Sequence, residues 1–244
     1  MTQSVTIRLM ELIKQLDVIA FDADDTLWRN EELFWEFKAE FIKILAKYPM
    51  IDQKKLGQFL DQKEIANIDY YGYGFKSYTL SMIEAFIELT DGKVEGSDIA
   101  VMLHLLKQKI HTELDILIGV KETLMQLYGV VDLMLITKGD TQEQHYKIDK
   151  SGLGRYFRWI EIVHTKDENV YHEIFQKYEL KPERFMMIGN SLRSDVLPVC
   201  ALGGKGVHIP NDTNWAHENE FPEEWNKLNY EELDSFLDLI PFLY

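Results

Sequence analysis

Residues 18–28 read VIAFDADDTLW, an apolar run that ends in three carboxylates, Asp22, Asp24 and Asp25, within four positions. The first four residues carry no polar side chain, which is the pattern of a strand buried on both faces rather than of a half-exposed one. Negative charge packed against the end of such a strand is costly unless a cation or a lysine lies among the carboxylates. A divalent ion of the magnesium type, which takes hard oxygen ligands, would offset that cost. Taken alone, the stretch has a second reading as an Asp-rich turn or helix N-cap. A calcium loop is excluded, because Leu27 stands where that loop needs glycine.

Working outward, the short amphipathic opening places Leu9, Ile13 and Leu16 on one face. Further short apolar or mixed runs follow much later: VVDLMLI (130–136), WIEIV (159–163), FMMI (185–188) and KGVHI (205–209). Helical patterns separate them. Strands alternating with helices imply right-handed crossovers and an α/β fold, a doubly wound, mainly parallel sheet with helices on both faces. Ligands of such sheets sit beyond the carboxyl ends of the strands, where residues 22–25 and the polar residues after Ile136 and Ile188 fall. Between about residues 30 and 113 the alternation stops, and EELFWEFKAEFIKIL, SYTLSMIEAFIEL and SDIAVMLHLLKQKI show helical spacing. The expected organisation is a core of residues 1–29 and 114–244 with an inserted helical cap of 30–113. NIDYYGYGFK (67–76) is expected to be an aromatic loop between two cap helices.

Composition narrows the partners. The 244 residues are 46% hydrophobic, enough for a sizeable core, and carry a formal net charge of −15. A strongly acidic surface offers no counter-charge to a nucleic-acid backbone or an anionic membrane, so small molecules are the expected partners. The single cysteine, Cys200, cannot form an internal disulfide, and no segment has the length and apolarity of a membrane span. A cytoplasmic location is expected. The sequence leaves oligomeric state open. None of the seven histidines pairs at i, i+4, so zinc chemistry of that kind has no support.

Several strand-end residues have the chemistry to join Asp22 and Asp24. Thr137 follows LMLI and could hold an anionic oxygen, or cap the next element. Lys166 could supply positive charge, although an isolated lysine is ordinarily surface. Asn190, Ser191 and Asp195 follow FMMIG, where Gly189 lets the chain turn and oxygen ligands could face a metal. Each signal is weak alone; their shared position at one sheet edge gives them weight.

Together these residues resemble the haloacid dehalogenase superfamily. FDADDTL resembles its first motif, LMLIT its second, Lys166 its third and GNSLRSD its fourth. The resemblance covers nearly the whole core and implies a Rossmann-like core with a helical cap, in the phosphatase branch. It implies that Asp22 attacks phosphorus and forms an aspartyl-phosphate. Asp24 would act as general acid and then base, with its pKa raised by neighbouring carboxylates. Thr137 and Lys166 would hold the phosphoryl oxygens, and Mg²⁺ would bind Asp22, the Asp24 main-chain carbonyl, Asp195 and Asn190. Asp25 is expected to anchor the turn, and Trp28 to sit at the hinge. The family's fourth motif usually has aspartate where Asn190 stands, and the usual proline does not follow Lys166.

The sequence therefore points to a Mg²⁺-dependent phosphohydrolase acting on a small phosphorylated metabolite. Tyr71, Tyr73 and Lys76 of the aromatic stretch are the candidate substrate contacts, with packing of cap against core as the other reading. A 2-haloacid dehalogenase is the leading alternative, but halide displacement needs no protonated leaving group and Asp24 would then be superfluous. A phosphomutase and a degenerate, non-catalytic binding protein remain as further readings.

Overall fold

Alternate residues of the central strands point to opposite sides of one sheet, and both sides are covered. Ile19, Phe21, Leu133, Leu135, Met186 and Ile188 belong to one apolar cluster. Val18, Ala20, Met134, Ile136, Phe185 and Met187 belong to the other. This is why these strands read as unbroken apolar runs rather than alternating ones. Burying each such large side chain stabilises the fold by roughly 1.5–3 kcal/mol. The architecture comes from a computed structural model that describes residues 12–211 and 222–243; Leu9 lies outside them.

Among the described residues the sheet has six parallel strands in the order β3-β2-β1-β4-β5-β6. They are β1 (Val18–Phe21), β2 (Asp132–Lys138), β3 (Trp159–Val163), β4 (Phe185–Gly189), β5 (Lys205–His208) and β6 (Glu231–Glu232). The strand carrying the acidic motif is central, with Val18 opposite both Asp132 and Phe185. A parallel α/β sheet with flanking helices is thus the fold. β2 begins two residues later than its apolar run, because Tyr128 and Val131 form an isolated bridge in the preceding turn. β6 escapes sequence reading, since two exposed glutamates carry no apolar pattern.

The chain divides into two compact units: Met1–Glu31, Leu114–Lys138 and His145–Tyr244 form one; Glu32–Glu113 and Gly139–Gln144 form the other. The sheet lies in the first. The second contains helices α1 (Glu31–Leu45, apart from its first residue), α2 (Gln53–Tyr71), α3 (Phe75–Leu89) and α4 (Gly96–Ile110). Its own core includes Phe37, Phe41, Leu60, Met82, Phe86 and Met102. The aromatic stretch is not a loop: α2 runs through Tyr71, and Gly72 and Gly74, at φ 73° and 115°, make the sharp turn into α3. Residues 139–144 join this unit through Glu143, whose carboxylate accepts the first N–H groups of α3, from Phe75 (2.8 Å) and Lys76 (2.9 Å). These are orphan donors that a helix start must satisfy. Among the described residues, no helix is long and apolar enough to cross a membrane.

Candidate active site at the carboxyl edge of the sheet

The sheet ladder itself positions Asp22. Its N–H bonds the Ile188 carbonyl of β4 at 2.9 Å, one residue beyond the end of β1. The carboxylate is buried, and its Oδ2 lies 3.0 Å from Thr26 Oγ1. The same hydroxyl lies 3.2 Å from Asn190 Oδ1 and accepts the Asn190 N–H at 3.1 Å. Thr26 therefore ties the first acidic motif to the end of β4.

Lys166 joins the acidic groups. Its side chain is 1% exposed and its ammonium donates to Asp22 Oδ1 and, at 2.7 Å, to Asp195 Oδ1. Asp195 sits in a π-helical turn, Leu192–Val196, and its Oδ2 accepts the Ser191 N–H at 3.0 Å. Such wide turns are rare and gather at functional sites. Gly189 permits the arrangement, since a Cβ there would overlap the Asp195 carboxylate.

One ammonium does not neutralise this group. Burial, followed by the Asp195 and Asp24 carboxylates, pushes the Asp22 carboxyl up to about 7 against the opposing pull of Lys166. Although burial alone would lower it, Lys166 is held above its ordinary value by Asp195 and Asp22, so it stays charged.

Asp24 lies near the Asp22 and Asp25 carboxylates, whose pKa values its charge raises, and it also meets hydrogen-bond donors. Lys147 Nζ lies 2.8 Å from both Oδ1 and Oδ2, and the Trp28 indole N–H donates to Oδ1 at 2.7 Å. Trp28 is fully buried and directly engaged with the acidic motif. Asp25 is the anchor the sequence implied. It adopts a left-handed φ of 61° and accepts N–H groups from Asn30 (2.9 Å) and Glu31 (3.1 Å) at the start of α1. Burial raises its pKa to about 6.

Thr137 is 1% exposed near the end of β2, and its Oγ1 has no hydrogen-bond partner among the described residues. A buried hydroxyl without a partner costs about 1–3 kcal/mol, a penalty that an oxygen-rich ligand would remove. Asn190 is fixed through its main chain as well, its carbonyl lying 3.0 Å from His208 Nε2. Asp22, Lys166, Asp195, Thr26 and Asn190 thus form one bonded cluster, and Asp24 adjoins it electrostatically.

Tyr71, Tyr73 and Lys76 belong to the other unit. There Tyr71 donates to Glu84, and Lys76 pairs with Asp140 at 2.6 Å.

The donor chemistry suits magnesium. Among the described residues, no group of three or more His, Cys, Asp or Glu side chains forms a ready metal cage. Magnesium does not need one: it keeps several waters and uses one or two carboxylates with substrate oxygens. Asp22, Asp195 and the Asn190 amide oxygen offer an all-oxygen set with excess negative charge.

Fold and site together give a parallel α/β sheet with a buried carboxylate–lysine cluster at its carboxyl edge. The haloacid dehalogenase-like hydrolase family model matches residues 16–199, and the chain belongs to that family. It is 34% identical to a haloacid dehalogenase-like family hydrolase from Xanthomonas campestris, over 94% of this chain and 92% of that one, with a TM-score of 0.79. More distant structures share the fold. A HAD phosphatase from Thermococcus onnurineus is 18% identical, with a TM-score of 0.63 over 93% of this chain and 98% of that one. A 2-haloacid dehalogenase from Pseudomonas syringae pv. Tomato DC3000 is 15% identical, with the same score and coverage. No curated protein matches the chain in sequence.

Proposed function

We propose that this hydrolase is a magnesium-dependent phosphomonoesterase acting on a small phosphorylated metabolite in the cytoplasm. The observation that carries the reading is Asp24, a second carboxylate two residues beyond Asp22 and held in place by Lys147 and Trp28. Displacing halide from carbon calls for no such acid, whereas expelling an alkoxide from phosphorus does.

In this reading Asp22 attacks phosphorus in line, the ester oxygen departs with a proton from Asp24, and an aspartyl-phosphate remains. Asp24 then takes a proton from water as that water attacks, which releases phosphate and restores Asp22. Lys166 and the partnerless Thr137 hydroxyl hold the phosphoryl oxygens. Magnesium, held by Asp22, Asp195, the Asn190 amide oxygen and the Asp24 carbonyl, would neutralise charge gathering on the transferred group. The helical unit serves as a cap, with Tyr71, Tyr73 and Lys76 contributing to the choice of leaving group.

Hydrolysis of 4-nitrophenyl phosphate, with and without MgCl₂, tests the reading beside chloride release from 2-chloropropionate. Metal-dependent phosphate release without chloride is expected. Chloride release without metal would replace it by the dehalogenase reading, which the amide at Asn190 favours. Failure of both reactions would leave a ligand-binding protein.

Asn190→Asp adds a charge at the proposed ligand position and is expected to tighten Mg²⁺ binding about tenfold, equivalent to roughly 1.4 kcal/mol. Calorimetric titration reads this directly. An unchanged affinity would remove Asn190 from the ligand set.

A further inference from the structure

Lys147 lies in the middle of the helix Thr141–Ser151, a polar stretch in which nothing marks it out by sequence. Its ammonium has three protons and three acceptors, each at 2.8 Å: both carboxylate oxygens of Asp24 and Oδ1 of Asn30. The side chain is 11% exposed. Burying an ammonium is costly, and here the full set of contacts goes to Asp24 and to the residue just before α1. Asp24 also accepts the Trp28 indole N–H; Trp28 is fully buried, and its main chain forms isolated bridges with Asp24 and Ile116.

We propose that Lys147 is a positioning residue that fixes the plane of the Asp24 carboxylate, so that one oxygen is aimed for proton transfer. The proposal rests on the phosphatase reading. The Trp28 indole N–H contacts Oδ1 and so does not by itself fix both oxygens. With Lys147 present, both oxygens are held. Asn30 holds the ammonium in turn, and its own N–H bonds Asp25, so the grip extends to the acidic turn from which Asp24 projects. Proton transfer depends steeply on such placement, whereas attack by Asp22, oriented by Lys166 and Thr26, does not pass through Lys147.

The consequence is selective for the leaving group. Nitrophenolate departs with little help from an acid, and phenolate needs more. Lys147→Met is therefore expected to lower kcat for phenyl phosphate at least tenfold more than kcat for 4-nitrophenyl phosphate, with Lys147→Arg recovering most of the difference. Equal losses on the two esters would overturn the inference while leaving the phosphatase reading intact.

A second measurement does not require turnover. The Trp28 indole ¹H–¹⁵N resonance, assigned with Trp28→Phe, reports the hydrogen bond to Asp24. It is expected to shift and broaden in Lys147→Met, and to stay close to its wild-type position in Lys147→Arg. If the protein hydrolyses neither ester, this signal still decides: a resonance unmoved in Lys147→Met, in an otherwise folded spectrum, overturns the positioning role.

Discussion

Asp22→Asn is expected to lower turnover by about 10⁴-fold or more while making the metal-free protein more stable at pH 8. The loss follows from the proposed chemistry, because a neutral amide cannot form the aspartyl-phosphate through which both half-reactions pass. The gain in stability follows from where Asp22 lies. In the folded protein, burial with two other carboxylates nearby raises its pKa from the ordinary 3.8 to about 7. Between those values the folded state holds a proton that the unfolded state has released, so the contribution of Asp22 to stability falls as pH climbs from about 4 to about 7. Above that range the protein bears the cost of a buried carboxylate that Lys166 only partly offsets. Removing the charge should be worth about 1–3 kcal/mol at pH 8 and little at pH 5. Thermal melts of both proteins in EDTA at the two pH values check this. An equal difference at both would mean that Asp22 is ionised throughout.

The opposite substitution in the same cluster should be the most damaging to folding. Lys166→Met leaves Asp22 and Asp195 buried against each other without the ammonium that now bonds both. Breaking a buried pair in this way costs about 3–5 kcal/mol, because the remaining charges have lost their partner rather than been replaced. For a chain of this size that corresponds to a fall in Tm of roughly 10 °C. The loss should be largest at pH 8 and shrink toward pH 5, where Asp22 takes up a proton. A melt that hardly moves at pH 8 would show that Lys166 is not what balances these carboxylates.

The sheet and much of the site were legible in the sequence for one reason: a parallel strand covered on both faces must be continuously apolar, and its polar successors then fall at the edge where ligands bind. That logic pointed to Asp22, Lys166, Asn190 and Asp195, which the fold brings into one cluster. It failed wherever function depends on a partner distant in sequence. Lys147 is one polar residue among many in its helix, and only the folded chain brings it to Asp24. Thr26 reads as part of a turn, and its hydroxyl acquires meaning only beside Asn190. The end of α2 was missed because Asn67, Tyr70 and Tyr71 suggest a loop by composition, whereas the two glycines that follow are what end the helix.

The central position of β1 also governs the order in which the molecule can assemble. Val18 opposes Asp132 on one side and Phe185 on the other, so the strand leading to Asp22 leaves a ribosome long before either neighbour exists. Closing contacts so distant in sequence is entropically slow. The helices of residues 32–113 have their own apolar core and can form while β1 waits. Asp22 is thus translated well before the strands that flank it, and its surroundings are complete only once β4 has followed. A chain released early would carry VIAF as an unpaired apolar strand, the kind of segment that draws aggregation or a chaperone.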